Sequence, residues 1–207
     1  ITLLDSQKVP GEDDKTNDNE KPFMSLGSGV IIDESNGYIV TNAHVIKDAD
    51  RVTVTLKDKR HFQAKVIGSD EPSDVAILQI SASQLSALQF ADSNQLNVGQ
   101  QVIAIGNPFG LDQSVTSGII SALSRGDLQI EGYENFIQID AAINFGNSGG
   151  ALVDTQGNLI GINTAILAPE NGGSLGIGFA IPSNMVENVA KQLIQYGKVE
   201  RGVIGVM

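Results

Sequence analysis

The sequence has no cysteine and only two histidines among its 207 residues. Without cysteine the chain can form no disulfide and offers no thiolate nucleophile, and its composition leaves the redox compartment open. Two histidines are too few for a zinc site built from histidine and cysteine ligands. We therefore expect no metal site and no cofactor.

Long apolar runs and a positive net charge are also missing. No apolar run approaches the ~18 residues of a membrane span, and the first residues show no signal-peptide pattern. The chain has 13 lysine and arginine residues against 24 aspartate and glutamate residues, a formal net charge of −11. A surface this acidic argues against nucleic acid or an anionic membrane as a partner.

Glycine, by contrast, is abundant, with 23 residues, and it helps to separate many short β-type segments. Val52, Val54 and Leu56, for example, alternate with polar residues, which is the period of a half-buried strand. Segments of this kind recur at roughly 8–12-residue spacing, which predicts an all-β barrel or sandwich. The candidate strands cover residues 30–32, 38–41, 52–56, 64–67, 75–80, 102–105, 115–122, 136–139, 151–153, 159–166 and 177–181.

The length suits two barrels in tandem within a single domain over residues 1–207. We expect the N-terminal barrel over about residues 23–98 and the C-terminal barrel over about residues 99–182. A helix is predicted over residues 183–197, with Ser183 as its N-cap and Gly197 as its end. The helix is indicated by apolar residues at helical spacing, namely Val186, Val189, Ala190, Leu193 and Ile194.

A nucleophilic serine is indicated in residues 144–153, where Ser148 stands between glycines just before an apolar β-type run. Glycine lets other atoms approach closely, as an exposed hydroxyl and an oxyanion-binding backbone require. The segment formally fits the G-x-S-x-G elbow of α/β-hydrolases. That elbow needs a following helix and a later histidine, whereas Ser148 is followed by strand-like segments and by no histidine. An ordinary glycine-rich turn is the alternative.

A serine hydroxyl needs a base, and only His44 and His61 are available. His44 follows an apolar strand, whereas His61 lies in a polar stretch, so His44 is the preferred base. A carboxylate must then hold the imidazole in the correct tautomer. Asp74 directly precedes an apolar strand and is the favoured partner, with Asp70 and Glu71 as alternatives.

These segments together resemble the chymotrypsin-fold serine proteases, and within them the HtrA/Deg family with its periplasmic DegP/DegQ-type members. The resemblance runs from about residue 26 to the C-terminus, and the segments occur in the family's order. Residues 201–205 resemble the junction where the family's PDZ domains begin, and we expect no PDZ domain in this chain. The matching segments are Thr41-Asn42-Ala43-His44-Val45, Ser73-Asp74-Val75-Ala76, Gly106-Asn107-Pro108-Phe109-Gly110, Asp140-Ala141-Ala142-Ile143-Asn144, Gly146-Asn147-Ser148-Gly149-Gly150 and Gly176-Ile177-Gly178-Phe179-Ala180-Ile181-Pro182.

The resemblance implies a chymotrypsin-like double β-barrel with a catalytic triad in the cleft between the barrels. His44 would be the general base, Asp74 its orienter and Ser148 the nucleophile. The backbone N–H groups of Gly146, Asn147 and Ser148 would form the oxyanion hole. Asn147 replaces the aspartate with which digestive proteases bind a freed N-terminus, so activation by zymogen cleavage is not expected.

The resemblance also assigns residues around the triad. Ile143, Leu167 and Ile177 would line a small apolar primary pocket that suits Val, Ala, Ile or Thr before the cleaved bond. Arg125, in a loop over residues 124–135, matches a regulatory arginine of the family, with a solvated surface charge as the alternative. Thr164 would support Asp74 from behind.

By the same resemblance, the chain is a periplasmic endopeptidase that degrades unfolded polypeptides in envelope quality control. It would form a homotrimer, and larger cages would need the PDZ domains. Phe145 and Asp112 depart from the family pattern beside the active-site loops and would affect how readily these loops reach the active arrangement. The alternatives are a holdase-type chaperone or resting form in which peptide binding dominates, and a protease with a dedicated substrate.

Overall fold

The computed structural model describes residues 2–5, 26–107, 113–126, 135–166 and 176–201. Leu167 and Asp112, both singled out in the sequence, lie outside these ranges. Among the described residues, no helix has the length and apolar character that would let it cross a membrane.

The first half of the chain forms a seven-stranded antiparallel sheet. It consists of β1 (Thr2–Asp5), β2 (Leu26–Ser28), β3 (Val30–Asp33), β4 (Tyr38–Thr41), β5 (Val52–Thr55), β6 (His61–Asp70) and β7 (Val75–Gln79). The strands lie in the order β2-β1-β5-β6-β7-β4-β3. Alternation explains strand β5, because Val52 and Val54 point into the core while the two threonines stay half-buried.

The second half closes into a six-stranded barrel. Its strands are β8 (Gln101–Gly106), β9 (Ser114–Arg125), β10 (Phe136–Ile139), β11 (Ala151–Val153), β12 (Leu159–Ile166) and β13 (Gly178–Pro182). They follow one another in the order β10-β13-β12-β11-β8-β9, and β9 pairs with β10 to complete the ring. The helix α1 (Ser183–Tyr196) follows directly, so the predicted all-β architecture with a C-terminal helix is confirmed.

Three apolar clusters hold this architecture together. One lies inside the seven-stranded sheet, around Ile39 and Leu78, and a second fills the barrel, around Ile120 and Leu152. The third cluster joins the two halves and the helix. Its buried residues come from β3, β4 and β7, from four barrel strands and from α1, and they include Val40, Ile77, Phe136, Phe179, Val186 and Leu193. Because apolar burial favours the docked state, this shared cluster fixes the two halves against each other.

The helix α1 ends as predicted but begins differently. Gly197 takes a left-handed φ of 72° and its N–H donates to the Leu193 carbonyl, which closes the helix. The prediction of Ser183 as N-cap is wrong, because the capping position is Pro182 and has no side-chain cap. The hydroxyl of Ser183 is drawn instead into a tertiary hydrogen bond, which it donates to the Ala91 carbonyl at 2.7 Å.

Arg125 belongs to strand β9, so its predicted place in a loop beginning at residue 124 is wrong. The residue stands opposite Phe136 in the β9–β10 ladder. Its Nε atom donates to Gln138 Oε1 at 2.9 Å, which ties the side chain to the neighbouring strand. Ser124, just before it, has a positive φ of 54°, so strand pairing continues through a local irregularity that sequence patterns do not reveal.

Candidate active site

His44 and Asp74 are in direct contact. The ring nitrogen Nδ1 of His44 lies 2.9 Å from Oδ1 and 2.8 Å from Oδ2 of Asp74. A carboxylate can only accept hydrogen bonds, so Nδ1 carries the proton and Nε2 is left as an acceptor. The Asp74 side chain is 2% exposed and the His44 side chain 44% exposed. The pair therefore combines a buried carboxylate with an imidazole that solvent or a substrate can reach.

The backbone around Asp74 explains how its carboxylate reaches the imidazole. Residues Glu71–Ser73 form one turn of 3-10 helix, and Asp74 ends this turn in the left-handed region with a φ of 52°. Its N–H donates to the Glu71 carbonyl at 3.0 Å. Its own carbonyl accepts from Nδ2 of Asn42 at 2.9 Å. A left-handed conformation is costly for a residue other than glycine, so these contacts hold Asp74 in a geometry it would not adopt alone.

The two other carboxylates considered from sequence have different partners. Asp70 accepts hydrogen bonds from both terminal nitrogens of Arg201 and from the backbone N–H and hydroxyl of Ser73. Burial raises the pKa of Asp70, but the hydrogen bonds from Arg201 and Ser73 outweigh it and hold the pKa below its ordinary value of 3.8. Glu71 pairs on the surface with Lys47 at 3.5 Å. The carboxylate beside the imidazole is therefore that of Asp74.

His61, the other histidine, is exposed, and its Nδ1 atom forms a 2.8 Å hydrogen bond with the Thr55 hydroxyl. It lies at the start of β6, paired with the end of β5. This setting matches the polar stretch that the sequence indicated for it.

Thr164 connects Ser148 to the His44–Asp74 pair. The Thr164 hydroxyl donates to Oδ2 of Asp74 at 2.5 Å, and its carbonyl accepts from the Ser148 hydroxyl at 3.1 Å. Ser148 itself is half-buried, in the turn before strand β11. The structure thus gathers the predicted base, orienter and nucleophile at the boundary between the sheet and the barrel.

The backbone before Ser148 forms a turn that leaves two donors available. The N–H of Asn147 donates to the Asn144 carbonyl at 3.0 Å, and Gly146 has a φ of 94°. This hydrogen bond, with a positive φ at the third residue only, is the signature of a type II turn. Within the described residues, no protein group accepts the N–H of Gly146 or Ser148. Three backbone N–H groups were predicted for the oxyanion hole, and that of Asn147 already donates to the Asn144 carbonyl within the turn.

Ser28 of the first sheet holds this turn from the other side. Its hydroxyl donates to the Gly146 carbonyl at 2.6 Å, and its N–H donates to the Ser148 carbonyl at 2.8 Å. Gly149 passes so close that a Cβ there would lie 2.1 Å from the Ser28 carbonyl oxygen. Only glycine fits this approach, and its φ of 81° also favours glycine.

The predicted pocket residues are described only in part. Ile143 is buried in the barrel cluster, and Ile177 is half-buried against the cluster that joins the two halves. A Cβ on Gly178 would lie 2.9 Å from Cγ1 of Ile143, so strand β13 passes close to that side chain. Leu167 lies outside the described residues, and so does Asp112. Phe145, the other departure from the family pattern, is 72% exposed beside Gly146.

Sequence reasoning missed two connections that position the site, those of Ser28 and of Asp70 with Arg201. In the sequence, Ser28 is a polar residue between two glycines, which is a weak signal. The Asp70–Arg201 pair joins residues 131 positions apart, and no local pattern predicts it. Among the residues that the structure describes, no group of three or more His, Asp or Glu side chains is arranged to hold a metal ion.

Comparison with known proteins places these observations in a family. Residues 27–162 match the model of the trypsin-like peptidase domain. The periplasmic serine endoprotease DegP of Salmonella typhimurium is 60% identical over 189 residues, which are 91% of this chain and 40% of that protein. The periplasmic pH-dependent serine endoprotease DegQ of Escherichia coli is 55% identical over 212 residues, covering 99% of this chain and 46% of that protein.

Solved structures agree with the sequence comparison. The HtrA-type protease AlgW with a decapeptide matches at a TM-score of 0.87 and 45% identity, over 99% of this chain and 67% of that one. This likeness confirms the chymotrypsin-like fold. The chain spans less than half the length of these two curated relatives. The chain belongs to the trypsin-like peptidase family, and within it to the HtrA/Deg serine proteases.

Proposed function

We propose that this chain is the catalytic domain of a periplasmic endopeptidase that cleaves unfolded polypeptides through a serine nucleophile. The observation that carries the proposal is the continuous set of contacts from His44 through Asp74 and Thr164 to Ser148. The names of the DegP and DegQ relatives support both the endoprotease activity and the periplasmic location.

In the acylation step, the Ser148 hydroxyl leaves the Thr164 carbonyl and attacks the carbonyl carbon of the cleaved bond. His44 takes the hydroxyl proton on Nε2, because its Nδ1–H is directed at Asp74. The buried Asp74 carboxylate stabilises the imidazolium that forms and keeps the ring in this orientation. Its other hydrogen bonds, from Thr164 and from the His44 backbone N–H at 3.0 Å, hold the carboxylate in position.

The negative charge that develops on the substrate oxygen is bound by backbone donors. We assign this role to the N–H groups of Gly146 and Ser148, since the Asn147 N–H donates within the turn. The tetrahedral intermediate collapses when His44 gives its proton to the leaving amine. A water molecule then attacks the acyl-enzyme with His44 as base, and the serine hydroxyl is restored.

The substrate class follows from the side chains assigned to the primary pocket. Ile143, Leu167 and Ile177 are apolar and offer no carboxylate to a Lys or Arg side chain, and burying such a cation unpaired is costly. We therefore propose cleavage after Val, Ala, Ile or Thr. We also propose that the chain assembles as a homotrimer, and light scattering after size-exclusion chromatography tests this assembly. A monomer at micromolar concentration would refute it.

The catalytic proposal is tested with casein as an unfolded substrate. Ser148→Ala should abolish peptide-bond cleavage and leave the melting temperature close to that of the wild type, because only the nucleophile is removed. Ser117→Ala, on the exposed face of β9, is the matched control and should keep full activity. Cleavage by Ser148→Ala near the wild-type rate would refute the proposal. Unchanged suppression of aggregation by this variant would point to the holdase alternative.

A further inference from the structure

Ser28 is almost completely buried, with 1% of its surface exposed, and its hydroxyl, N–H and carbonyl all form hydrogen bonds. Its hydroxyl donates to the Gly146 carbonyl at 2.6 Å and accepts from the Asn107 N–H at 2.8 Å. Its backbone N–H donates to the Ser148 carbonyl at 2.8 Å, and its carbonyl accepts from the Thr41 hydroxyl at 2.7 Å. One residue of the first sheet therefore contacts the backbone on both sides of Asn147.

These contacts fall on the two residues that we assign to the oxyanion hole. Among the residues that the structure describes, nothing accepts the N–H of Gly146 or of Ser148, and the carbonyl of each of these residues is held by Ser28. A peptide group is planar, so each held carbonyl fixes the plane of its own peptide, and these two peptides directly follow the two peptides that carry the N–H groups of Gly146 and Ser148. Oxyanion donors stabilise the transition state only when they are already aimed at the developing charge.

Gly146 is the residue that most needs such a hold. Its φ of 94° is that of a type II turn over residues 144–147. The central peptide of this turn joins Phe145 to Gly146 and carries the Gly146 N–H, and in a type I turn the same peptide is flipped. Glycine reaches both turns readily, because it lacks the Cβ that restricts other residues. Its own conformational preference therefore does not keep its N–H directed at a substrate.

We infer that Ser28 is a positioning residue that keeps the oxyanion-binding turn in its active geometry, through the hydrogen bond from its hydroxyl to the Gly146 carbonyl. This inference rests on the proposed catalysis by Ser148. The hydroxyl alone is decisive, because any substitution of Ser28 except proline retains the N–H that binds the Ser148 carbonyl. Ser28→Ala removes the contacts to Gly146 and to the Asn107 N–H and leaves the other two in place.

Ser183 offers a matched control. It is also a buried serine, and its hydroxyl donates to a backbone carbonyl, that of Ala91, at 2.7 Å. This bond lies at the start of α1 and does not contact the turn before Ser148. Ser183→Ala therefore carries the stability cost of losing a buried hydrogen bond without the change in the turn.

The experiment compares Ser28→Ala, Ser183→Ala and the wild-type chain with a short chromogenic peptide that has Val before the cleaved bond. Assays are run well below the lowest melting temperature of the set, so that only folded protein is compared. We expect Ser28→Ala to lower kcat by about ten- to a hundredfold and to change KM by less than about twofold. Ser183→Ala should keep the wild-type kcat even if its melting temperature falls as much as that of Ser28→Ala.

A peptide boronic acid gives a second readout, because it forms a tetrahedral adduct with a nucleophilic serine. Its inhibition constant should rise for Ser28→Ala by about the same factor as kcat falls, since both report binding of the oxyanion. A kcat for Ser28→Ala within about twofold of the wild type, or an equal loss in Ser183→Ala, would overturn the inference. Ser148→Ala in the same assay separates the two proposals, since its activity would refute the catalytic proposal itself.

Discussion

Thr164 donates its hydroxyl to the buried carboxylate of Asp74 at 2.5 Å, although the two residues are 90 positions apart and belong to different halves of the chain. The same residue accepts the Ser148 hydroxyl at its carbonyl. Strand β12 of the barrel thus contacts both the carboxylate of the first sheet and the serine of its own half. The proposed triad therefore depends on how the two halves dock, and not on either half alone.

Replacing the Thr164 hydroxyl tests this dependence. Thr164→Val keeps the shape of the side chain but removes one of the two hydrogen bonds to Oδ2 of the buried Asp74 carboxylate, leaving that from His44. We expect a loss of about 1.5–3 kcal/mol in the free energy of unfolding, together with a lower kcat. Thr164→Ser restores the hydroxyl and should recover most of both. Denaturant unfolding and peptide kinetics on the three proteins measure the outcome, and equal values for Val and Ser variants would contradict it.

Asp74→Asn tests the assignment of the orienting carboxylate. The amide would donate to Nδ1 of His44 and select the tautomer with the proton on Nε2, which cannot accept the serine proton. We expect kcat to fall by about 10⁴, with substrate binding retained. Glu71→Gln, three residues earlier and exposed, is the control and should keep the wild-type kcat. A loss of less than about tenfold for Asp74→Asn would remove Asp74 from this role.

The sequence allowed the fold and the main site residues to be predicted for a simple physical reason. In strands such as β5, apolar and polar residues alternate in the sequence as buried and half-buried side chains alternate in the structure. The chain has only two histidines, so there were only two candidates for the catalytic base. Asp74 was favoured because it directly precedes an apolar strand, and the structure places it beside His44. The role of each of these residues stays a proposal until the variants above are measured.

Other features could not be predicted because they depend on tertiary contacts. The Ser28 hydroxyl meets the Gly146 carbonyl 118 positions away, and backbone carbonyls carry no sequence signature. Ser183 has the residue type of a helix cap, but the Ala91 carbonyl competes for its hydroxyl. Arg125 lies in strand β9 and not in the predicted loop, because it pairs with Phe136 of β10 and donates a hydrogen bond to Gln138 on the same strand.

The pair formed by the buried Asp70 and the partly exposed Arg201 should make stability depend on pH in the acid range. The pKa of Asp70 is held below its ordinary value of 3.8, so the ionised form favours the folded state. This stability is fully present above the unfolded pKa and is lost as pH falls through the folded one. We expect Asp70→Asn to lower the melting temperature at neutral pH, and the difference from the wild type to shrink below about pH 4.

A surface pair provides the control for this measurement. Asp58 accepts from Arg60 Nε at 2.7 Å, but its side chain is largely exposed. Exposed pairs contribute little because water and salt screen them, so Asp58→Asn should barely change the melting temperature. Arg201→Gln should act like Asp70→Asn, and the two changes together should cost less than their sum. Additive losses would show that the two side chains do not stabilise the fold through each other.

The cleavage-site preference gives a prediction that needs no variant. Casein digested by the wild-type chain should yield fragments whose new C-termini are mainly Val, Ala, Ile and Thr. Mass spectrometry of the fragments reads this directly. Fragments that end mainly in Lys or Arg would refute the apolar pocket, and a single preferred sequence would favour a protease with a dedicated substrate.

Asn147→Asp should introduce a pH dependence of the opposite sign. Asn147 is 4% exposed, and its side-chain oxygen has no hydrogen-bond partner within the described residues. It also packs closely against β8, since a Cβ on Gly106 would lie 2.4 Å from that oxygen. An aspartate here would bury a carboxylate without a donor, so its pKa would rise above that of the unfolded chain. Ionising it should cost about 3 kcal/mol at neutral pH.

The sign follows from linkage. A carboxyl group whose pKa is raised by folding costs nothing while both states are protonated, and it destabilises the fold as pH rises above the unfolded pKa. The melting temperature of Asn147→Asp should therefore approach that of the wild type near about pH 4 and fall below it towards neutral pH. Asn97→Asp, at an exposed turn position, is the control and should show no such trend. Equal pH profiles for the two variants would mean that a charge at residue 147 finds a partner or reaches water.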